Sequence, residues 1–375
     1  MKILLLGEYS NVHWTLAEGL RQLGHHVTVV SDGDGWKNYL RDISLKRQSN
    51  QTTDSLKYLL DVVKLWPKLR NYDVVQLINP VFLSFKAEKL RPFYKMLRHQ
   101  NRSVFLGAFG MDYYWVKAGT DCQTFRYSDF NMGSQLRHSE DNDAWKRDWL
   151  HGPKGVLNQY IAEDCDGIIS GLYEYDASYR PYFPQKLKYI PFPICPDPDA
   201  AIHKTDKVKF FIGIQRLRSV YKGTDIMLHA LERLEKDLPN ACEVRKAESV
   251  PFEEYSRMLH TSDVMLDQLY SYTPAMNALL GMAKGMVIVG GGEPENYEIL
   301  HEDQLRPIVN VEPNEESVYQ ALRHLALHPE LIEKLSGESI EYINRHHLYI
   351  KVARQYVEFW THQMSNIINP FTYQK

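Results

Sequence analysis

Residues 271–295 read SYTPAMNALLGMAKGMVIVGGGEPE, and the order of residue types predicts a loop, a helix, a strand and a glycine turn. Pro274 suits a first helical turn, and the apolar residues after it recur at helical spacing on one face. The apolar run at 286–289 is typical of a parallel strand covered on both faces. Glycines and glutamates follow at its carboxyl end, the edge at which open α/β sheets bind ligands. The stretch therefore predicts a nucleotide-binding domain.

The composition sets limits on the class of protein. The chain has 375 residues, 44% of them apolar, and this length favours two domains over one. Its formal net charge of −3 gives no support to a nucleic-acid or anionic-membrane surface, so any basic site must be local. No segment approaches the roughly 18 uninterrupted apolar residues of a membrane span. The scattered cysteines indicate free thiols in a reducing cytoplasm, and we expect at most peripheral contact with the inner face of the membrane.

Short apolar runs alternate with helical patterns through the first half of the chain. The first run is too short for a signal peptide, so we assign it to a strand that opens a βαβ unit with a helix at 14–23. The predicted strands of this half lie at residues 3–6, 26–31, 74–78, 103–108 and 167–170. The proline-rich stretch 189–199 excludes a helix or a central strand, and it is the expected linker.

The alternation restarts after the linker, with predicted strands at 208–214, 264–266 and 286–289, before a mostly helical stretch at 315–367. The expected fold is α/β, with two Rossmann-like domains facing each other across a cleft. The N-terminal domain is predicted at 1–196 and the C-terminal domain at 197–345. A helical segment at 346–375 is expected to return to the first domain.

An aromatic-rich segment at 111–150 does not fit this alternation. Long insertions after a strand end often shape a binding face, and we expect this one to do so. The alternative is an ordered loop that is packed for stability.

A basic turn in the second domain is a candidate anion site. The turn leaves the strand at 208–214 through Gly213, displays Arg216, Arg218 and Lys222, and enters a helix through Gly223 and Thr224. Cations and free helix N–H groups at one place suit a pyrophosphate, although a solvated basic turn is the alternative. The GxGxxG, Walker A, HExxH and GxSxG motifs are absent, which argues against dehydrogenase, P-loop, zinc-protease and hydrolase functions.

This layout resembles the GT-B glycosyltransferases, and within them the large retaining family 4, which includes many bacterial lipopolysaccharide and capsule enzymes. That family has an Arg-x-x-x-x-Lys-Gly turn that binds the donor diphosphate, and Lys222-Gly223 matches its end. Leu217 stands at the family's arginine position, and of its two neighbours we favour Arg218 for the role.

The later family motifs are matched in part. Residues 282–285 resemble its Ala-Met-Ala-x-Gly, and residues 291–295 resemble its Gly-Gly-x-x-Glu. The paired glutamates of the family are replaced by Tyr272 and Leu280. Phe109-Gly110-Met111-Asp112 resembles its Gly-x-Asp, and the turn at Gly7 resembles its first acceptor-side loop.

The resemblance implies a glycosyltransferase that moves a sugar from a nucleotide-sugar donor to a glycan, lipid-linked or small-molecule acceptor. The anomeric configuration would be retained, with no metal and no cofactor. The expected catalytic residues are Arg218, Lys222, His13 and Asp112. The expected acceptor-binding residues are Gly7, Glu8 and Tyr9, and the aromatic-rich segment is expected to govern the choice of acceptor. The expected donor-binding residues are Gly213, Arg216, Gly223, Thr224, Tyr272, Thr273, Asn277, Gly291, Gly292, Glu293 and Glu295.

Two other functions fit the same pattern. The first is a non-catalytic nucleotide- or glycan-binding protein, which the replacement of the paired glutamates makes plausible. The second is a nucleotide-sugar epimerase, which needs carboxylates paired for proton transfer. For single residues the alternatives are structural: His13 as a packing residue, Tyr272 as a packing aromatic, and Glu295 as a charge favoured by a helix dipole.

Overall fold

The computed structural model describes residues 1–49, 51–215, 219–248 and 252–368. Its strands are β1 (Lys2–Leu6), β2 (His26–Ser31), β3 (Ile43–Ser44), β4 (Val74–Leu77), β5 (Val104–Ala108), β6 (Asn131–Met132), β7 (Gln135–Leu136), β8 (Gly167–Ser170), β9 (Leu187–Tyr189), β10 (Val208–Ile214), β11 (Cys242–Glu248), β12 (Val264–Leu266), β13 (Val287–Gly290) and β14 (Ile308–Asn310).

The α-helices are α1 (Val12–Gln22), α2 (Thr52–Leu65), α3 (Leu90–Gln100), α4 (Tyr113–Thr120), α5 (Glu140–Leu150), α6 (Pro153–Asp164), α7 (Tyr173–Tyr179), α8 (Ser219–Lys222), α9 (Thr224–Asp237), α10 (Phe252–His260), α11 (Met276–Ala283), α12 (Pro294–Leu300), α13 (Glu315–Leu327), α14 (Glu330–Tyr342) and α15 (Tyr349–Ile368). A π-helical turn, Ile343–His347, follows α14. Within the described residues, every helix is too short or too polar to cross a bilayer.

One compact unit consists of Met1–Lys117, Ala144–Pro193 and the described chain from Tyr349 onward. Its parallel sheet has the strand order β3-β2-β1-β4-β5-β8-β9. Apart from Lys2 the central strands β1, β4 and β5 are buried, as is typical of parallel strands covered on both faces. α15 packs against α1 at Gly19, where a β-carbon would lie 2.6 Å from the carbonyl oxygen of Tyr349.

A second compact unit consists of Ala118–Asp143 and Ile194–Leu348. Its parallel sheet has the order β11-β10-β12-β13-β14. Apolar residues of α9 and α13 pack on this sheet and form its core. The segment Ala118–Asp143, which we call the arm, carries the antiparallel pair β6 and β7.

The structure confirms an α/β fold with two Rossmann-like sheets, and every predicted strand is present within a few residues. The sequence patterns do not predict β3, β6, β7, β9, β11 or β14, and β6 and β7 contain two residues each. β3, β9 and β14 contain only two or three residues each, and β11 reads CEVRKAE, a mostly polar edge strand without an apolar run.

The limits of the compact units differ from the predicted domain limits. The units divide between Pro193 and Ile194 rather than after residue 196, and between Leu348 and Tyr349 rather than after residue 345. The larger difference is the arm, which the sequence analysis placed in the N-terminal domain and which belongs to the second unit.

Candidate functional site

The second sheet has a topological switch point between β10 and β12. The strand order is β11-β10-β12-β13. The chain continues from β10 to β11 on one side of the sheet, and from β12 to β13 on the other side. Ligands of doubly wound sheets bind outside the carboxyl ends of the strands at such a point. The residues that follow β10 include Lys222, and Asp267 follows β12 directly.

Lys222 ends the short helix α8 immediately before the start of α9. Gly223 caps α9 with a left-handed φ of 71°, which ordinary side chains rarely adopt. Thr224 is 3% exposed, and its Oγ1 lies 3.0 Å from the Oγ of Ser219. The first N–H groups of a helix have no partners inside the helix, so Lys222 and the start of α9 offer an anion both charge and hydrogen-bond donors.

Asp267 is a half-buried carboxyl group at this edge. Burial raises its pKa, while the charge of Lys222 and a hydrogen bond from Asn277 act in the opposite direction. Asn277 Oδ1 in turn accepts a hydrogen bond from the Tyr255 hydroxyl at 3.3 Å. A β-carbon at Gly213 would lie 3.3 Å from the Tyr255 ring, so the glycine allows close approach. The result is a polar cluster of Lys222, Asp267, Asn277 and Tyr255 at the switch point.

Asp267 and Tyr255 were not among the predicted site residues. A signal for Asp267 was present, because it is the first polar residue after the apolar strand β12, and polar residues at that position of a parallel sheet face the ligand edge. Tyr255 has no such signal, since its place in the cluster depends on how α10 packs. Of the predicted donor residues, Arg216 and Arg218 lie outside the described residues.

Tyr272 and Thr273 are buried rather than displayed at the surface. Tyr272 is 2% exposed, and its hydroxyl accepts a hydrogen bond from the backbone N–H of Arg126 in the arm at 2.8 Å. The rings of Phe125 and Tyr127 pack against it with centroids 5.8 and 5.0 Å away. Thr273 is 1% exposed. The arm therefore covers the position at which the resembling family has its first glutamate. Leu280, at the second position, is 37% exposed.

Glu293 and Glu295 form ion pairs with Arg126 of the arm. Glu293 also accepts hydrogen bonds from the Tyr127 hydroxyl at 2.5 Å and from the Asn310 amide at 3.0 Å. Burial alone would raise the pKa of Glu295, but the hydrogen bond and charge of Arg126 lower it. Both carboxylates thus have protein partners before any ligand is considered.

The glycine run after β13 permits tight packing of the neighbouring loop. A β-carbon at Gly291 would lie 2.2 Å from the carbonyl oxygen of Ser271, and the N–H of Gly292 donates to Asn310 Oδ1 at 3.0 Å. These glycines therefore fix the loop at 271–273 and the position of Glu293.

The first sheet has its own switch point, between β1 and β4. Gly7 follows β1 with a φ of 89°, and a β-carbon there would clash with Ile78 at 2.2 Å. Glu8 is 2% exposed and accepts hydrogen bonds from the N–H groups of His13 and Trp14 at 3.1 and 2.9 Å. Burial outweighs these bonds and raises the pKa of Glu8 to about 8.

His13 is fully buried in α1. Its Nδ1 lies 2.7 Å from the carbonyl oxygen of Gly7, which can only accept, so the proton is on Nδ1. Burial lowers the pKa of His13 to about 4, and the ring is neutral at pH 7. Its Nε2 is buried without a hydrogen-bond partner among the described residues.

Tyr9 and Asp112 follow the carboxyl ends of β1 and β5, at the same edge of the first sheet. Asp112 is fully buried and accepts from the N–H of Trp115 at 2.9 Å and from the Tyr179 hydroxyl at 2.8 Å. Burial raises the pKa of Asp112 to about 7. The Tyr9 ring packs over Gly110, where a β-carbon would be 3.2 Å away. The contacts of Asp112 are those of a helix cap for α4.

The fold of the chain is found in solved glycosyltransferase structures. Sucrose-phosphate synthase from Thermosynechococcus elongatus aligns with a TM-score of 0.62 and 12% identity, covering 97% of this chain and 100% of that chain. HepE from Anabaena, solved with UDP and glucose, aligns with a TM-score of 0.59 and 11% identity over 96% and 100% of the two chains. The catalytic domain of starch synthase IV from Arabidopsis thaliana, bound to ADP and acarbose, gives 0.60 and 10% over 97% and 99%.

These similarities come from the comparison of structures, and the comparisons of sequence found none. No protein-family model matches the chain, and no curated protein matches it by sequence. At 10–12% identity the alignments establish architecture and leave the chemistry to the residues of the site. Because the alignments extend over nearly the whole chain and include both Rossmann-like units, this protein has the GT-B fold of nucleotide-sugar glycosyltransferases.

Proposed function

We propose that the protein is a glycosyltransferase that moves a sugar from a nucleotide-sugar donor to a glycan, lipid-linked or small-molecule acceptor. The observation that carries the proposal is the position of Lys222, at the start of α9 and beside Asp267, at the switch point of the second sheet. The fold supports it, since HepE and starch synthase IV, which share it, were solved with UDP and ADP respectively.

The proposed mechanism separates two developing charges. The departing diphosphate gains negative charge, which Lys222 and the N–H groups at the start of α9 would stabilise. The sugar develops oxocarbenium character, which a nearby carboxylate such as Asp267 would favour. In this proposal the protein's own cation and N–H groups take the role that a metal has elsewhere, and the anomeric configuration is retained.

We propose that the first unit binds the acceptor. Glu8 and Tyr9 follow β1 at its switch point, and the neutral imidazole of His13 has an acceptor nitrogen at Nε2. A carboxyl group with a pKa near 8 exchanges a proton readily at neutral pH, which suits contact with an acceptor hydroxyl.

Calorimetric titration with UDP and ADP tests the donor site. We expect one of these to bind, and Lys222→Ala to weaken binding roughly tenfold to a hundredfold, the usual loss for a charge-assisted hydrogen bond. Lys236→Ala is the matched control, because Lys236 is an exposed lysine in the last turn of α9. Binding that is unchanged in Lys222→Ala would refute the proposed diphosphate site.

A non-catalytic binding protein is the second candidate. It is favoured by the burial of Tyr272 beneath the arm at the first glutamate position. Slow hydrolysis of a nucleotide sugar to free sugar, measured across a panel of donors, separates the two candidates. Hydrolysis that Lys222→Ala abolishes supports the enzyme, and binding of the nucleoside diphosphate without any donor hydrolysis supports the binding protein.

We also propose a cytoplasmic location with peripheral contact to an anionic bilayer. The four cysteines are free thiols, as expected in a reducing compartment. α2 buries Tyr58 and Val62 but exposes an apolar stripe at helical spacing. The exposed fractions in this stripe are 60% for Leu56, 37% for Leu59, 50% for Leu60 and 56% for Val63. Lys46, Lys64 and Lys68 line an adjacent hollow together with Asp61, so the surface combines apolar area with an excess of positive charge.

A further inference from the structure

The arm contacts two different parts of the second unit that flank the proposed donor site. At one end it contacts α8, the helix that carries Lys222. At the other it contacts Tyr272 and the glutamates at the start of α12. These two parts are about fifty residues apart in the chain, so a connection between them has to come from a third segment.

Arg137 of the arm holds the carbonyl end of α8. Its guanidinium donates to the carbonyl oxygen of Val220 at 2.8 Å and lies 3.4 Å from the centroid of the Tyr270 ring. The same group donates to the carbonyl oxygens of Ser128 and Asp129 within the arm at 3.2 and 3.0 Å. The last carbonyl groups of a helix have no partners inside it, so Arg137 ties them to the arm.

The side chain of Tyr221 makes a second contact between α8 and the arm. The Tyr221 hydroxyl donates to Oδ2 of Asp129 at 2.5 Å. Tyr221 directly precedes Lys222, whose carbonyl oxygen accepts a hydrogen bond from the N–H of Leu269 at 2.9 Å. The arm thus holds Val220 and Tyr221, and the loop after β12 holds the carbonyl group of the next residue, Lys222.

The arm itself is ordered by its own polar contacts. The Asn142 amide donates to the carbonyl oxygens of Asp129 and Arg137 at 2.9 and 3.0 Å. At the other end, Arg126 and Tyr127 bind Glu293, which Asn310 also contacts. Because both ends are anchored on the second unit, the arm can fix the position of α8 relative to the loop at 272.

We propose that the arm positions Lys222 for the donor diphosphate, with Asp129 and Arg137 as positioning residues that act through α8. The inference rests on the proposed function, and it assigns to the aromatic-rich insertion a donor role in place of acceptor choice. The arm acts by holding the Val220 carbonyl group and the Tyr221 side chain, so that the Lys222 ammonium is placed before the diphosphate arrives.

The test compares two tyrosine variants that lose the same kind of bond. Tyr221→Phe removes the hydrogen bond to Asp129, whereas Tyr319→Phe removes a hydrogen bond to Asp237 at 2.7 Å in the same unit, between α13 and the end of α9. UDP or ADP, whichever binds the unaltered protein, is titrated by calorimetry, and the matching nucleoside is titrated by NMR. We expect Tyr221→Phe to weaken diphosphate binding roughly fivefold, the usual net value of one hydrogen bond, and to leave nucleoside binding unchanged.

The double variant of Tyr221→Phe and Lys222→Ala measures the coupling between these two residues. If the arm acts through Lys222, adding Tyr221→Phe to Lys222→Ala gives no further loss. Equal losses for the diphosphate and the nucleoside, or a full additional loss in the Lys222→Ala background, would show a general structural role and overturn the inference. An effect of Tyr319→Phe as large as that of Tyr221→Phe would overturn it as well.

The outcomes also separate this inference from the function on which it rests. If the unaltered protein binds neither UDP nor ADP, the proposed function and the inference both fail. If Lys222→Ala weakens binding while Tyr221→Phe and Arg137→Ala bind as the unaltered protein does, the donor site stands and the positioning role of the arm is refuted.

Discussion

The backbone N–H of Arg126 donates a hydrogen bond to the hydroxyl of Tyr272 at 2.8 Å, although 146 residues separate the two in the chain. The Arg126 guanidinium lies 4.9 Å from the centroid of the same ring and forms ion pairs with Glu293 and Glu295. A segment from the first half of the chain thus completes the polar and aromatic packing beside the glycine turn of the second unit.

The Tyr127 hydroxyl is predicted to stabilise the second unit through its 2.5 Å hydrogen bond to the Glu293 carboxylate. Tyr127→Phe removes one donor from a carboxylate that is largely buried, and we expect a loss of about 2 kcal/mol in the free energy of unfolding. Urea denaturation followed by fluorescence measures it. Tyr182→Phe is the control, because Tyr182 is 47% exposed and should change stability by less than about 0.5 kcal/mol. Equal effects would contradict the prediction.

Gly223 is predicted to tolerate no side chain. Its φ of 71° is left-handed, and a β-carbon would lie 2.7 Å from Cβ of Leu269 and 2.8 Å from Cε2 of Tyr270. We expect Gly223→Ala to lower the free energy of unfolding by more than the roughly 1–2 kcal/mol that backbone strain alone would cost. We also expect it to weaken nucleoside diphosphate binding. Gly24→Ala isolates the strain, since Gly24 has a φ of 81° with no atom within 4 Å of its β-carbon position. If Gly223→Ala lost no more stability than Gly24→Ala, Leu269 and Tyr270 would have moved to make room, and the prediction would be wrong.

Glu302 is predicted to make stability depend on pH. Burial alone would raise its pKa, but hydrogen bonds from His346 and from the N–H groups of Leu305 and Gln304, with the charge of Arg345, lower it to about 2. The ordinary pKa is 4.5, so the contribution is fully present above about pH 4.5 and is lost as the pH falls towards 2. Linkage sets an upper limit of roughly 3 kcal/mol, which solvent screening reduces.

The measurement for Glu302 is the stability difference between the unaltered protein and Glu302→Gln at pH 7 and at pH 3. We expect the difference to be smaller at pH 3, because the carboxylate begins to be protonated in the folded protein while the unfolded chain is already protonated. Glu254→Gln, at an exposed position with a long contact of 4.0 Å to Arg257, should give a small difference at both pH values. A difference for Glu302→Gln that does not vary with pH would contradict the assignment.

The apolar stripe of α2 is predicted to bind anionic bilayers. Leu56→Gln with Leu60→Gln removes much of the exposed apolar area without changing charge, and we expect at least a fivefold loss of co-sedimentation with vesicles rich in phosphatidylserine. Val156→Gln is the control, because Val156 is 65% exposed on α6. Equal binding to uncharged vesicles, or a concentration-dependent dimer that the double variant abolishes, would refute the membrane surface.

Much of the fold was predictable from local patterns. The apolar runs at β5, β12 and β13 are visible in the sequence because fully buried parallel strands are rich in apolar residues. β11 escaped prediction because its polar sequence, CEVRKAE, lies at the sheet edge, where such a run is not required. The glycine turn follows β13 as predicted, whereas Arg216 and Arg218 of the basic turn lie outside the described residues.

The candidate site was only partly predictable. Lys222, Gly223 and Asn277 follow strand ends or start helices, which are local features, and the structure brings Lys222 and Asn277 together around Asp267. Tyr272 and Glu295 were expected to face a donor, and their partners instead come from the arm. No local rule connects residue 126 with residue 272, since a side chain's partner depends on the packing of the whole unit.

The sequence by itself determined the two α/β units and the position of the glycine turn after β13, because these follow from the spacing of apolar and glycine residues. Only the tertiary structure decided that the arm, the middle part of the aromatic-rich segment, belongs to the second unit, covers Tyr272 and contacts α8. The physical reason is that hydrophobic periodicity tells which face of an element is buried, whereas the element that buries it is selected by long-range packing and hydrogen bonding.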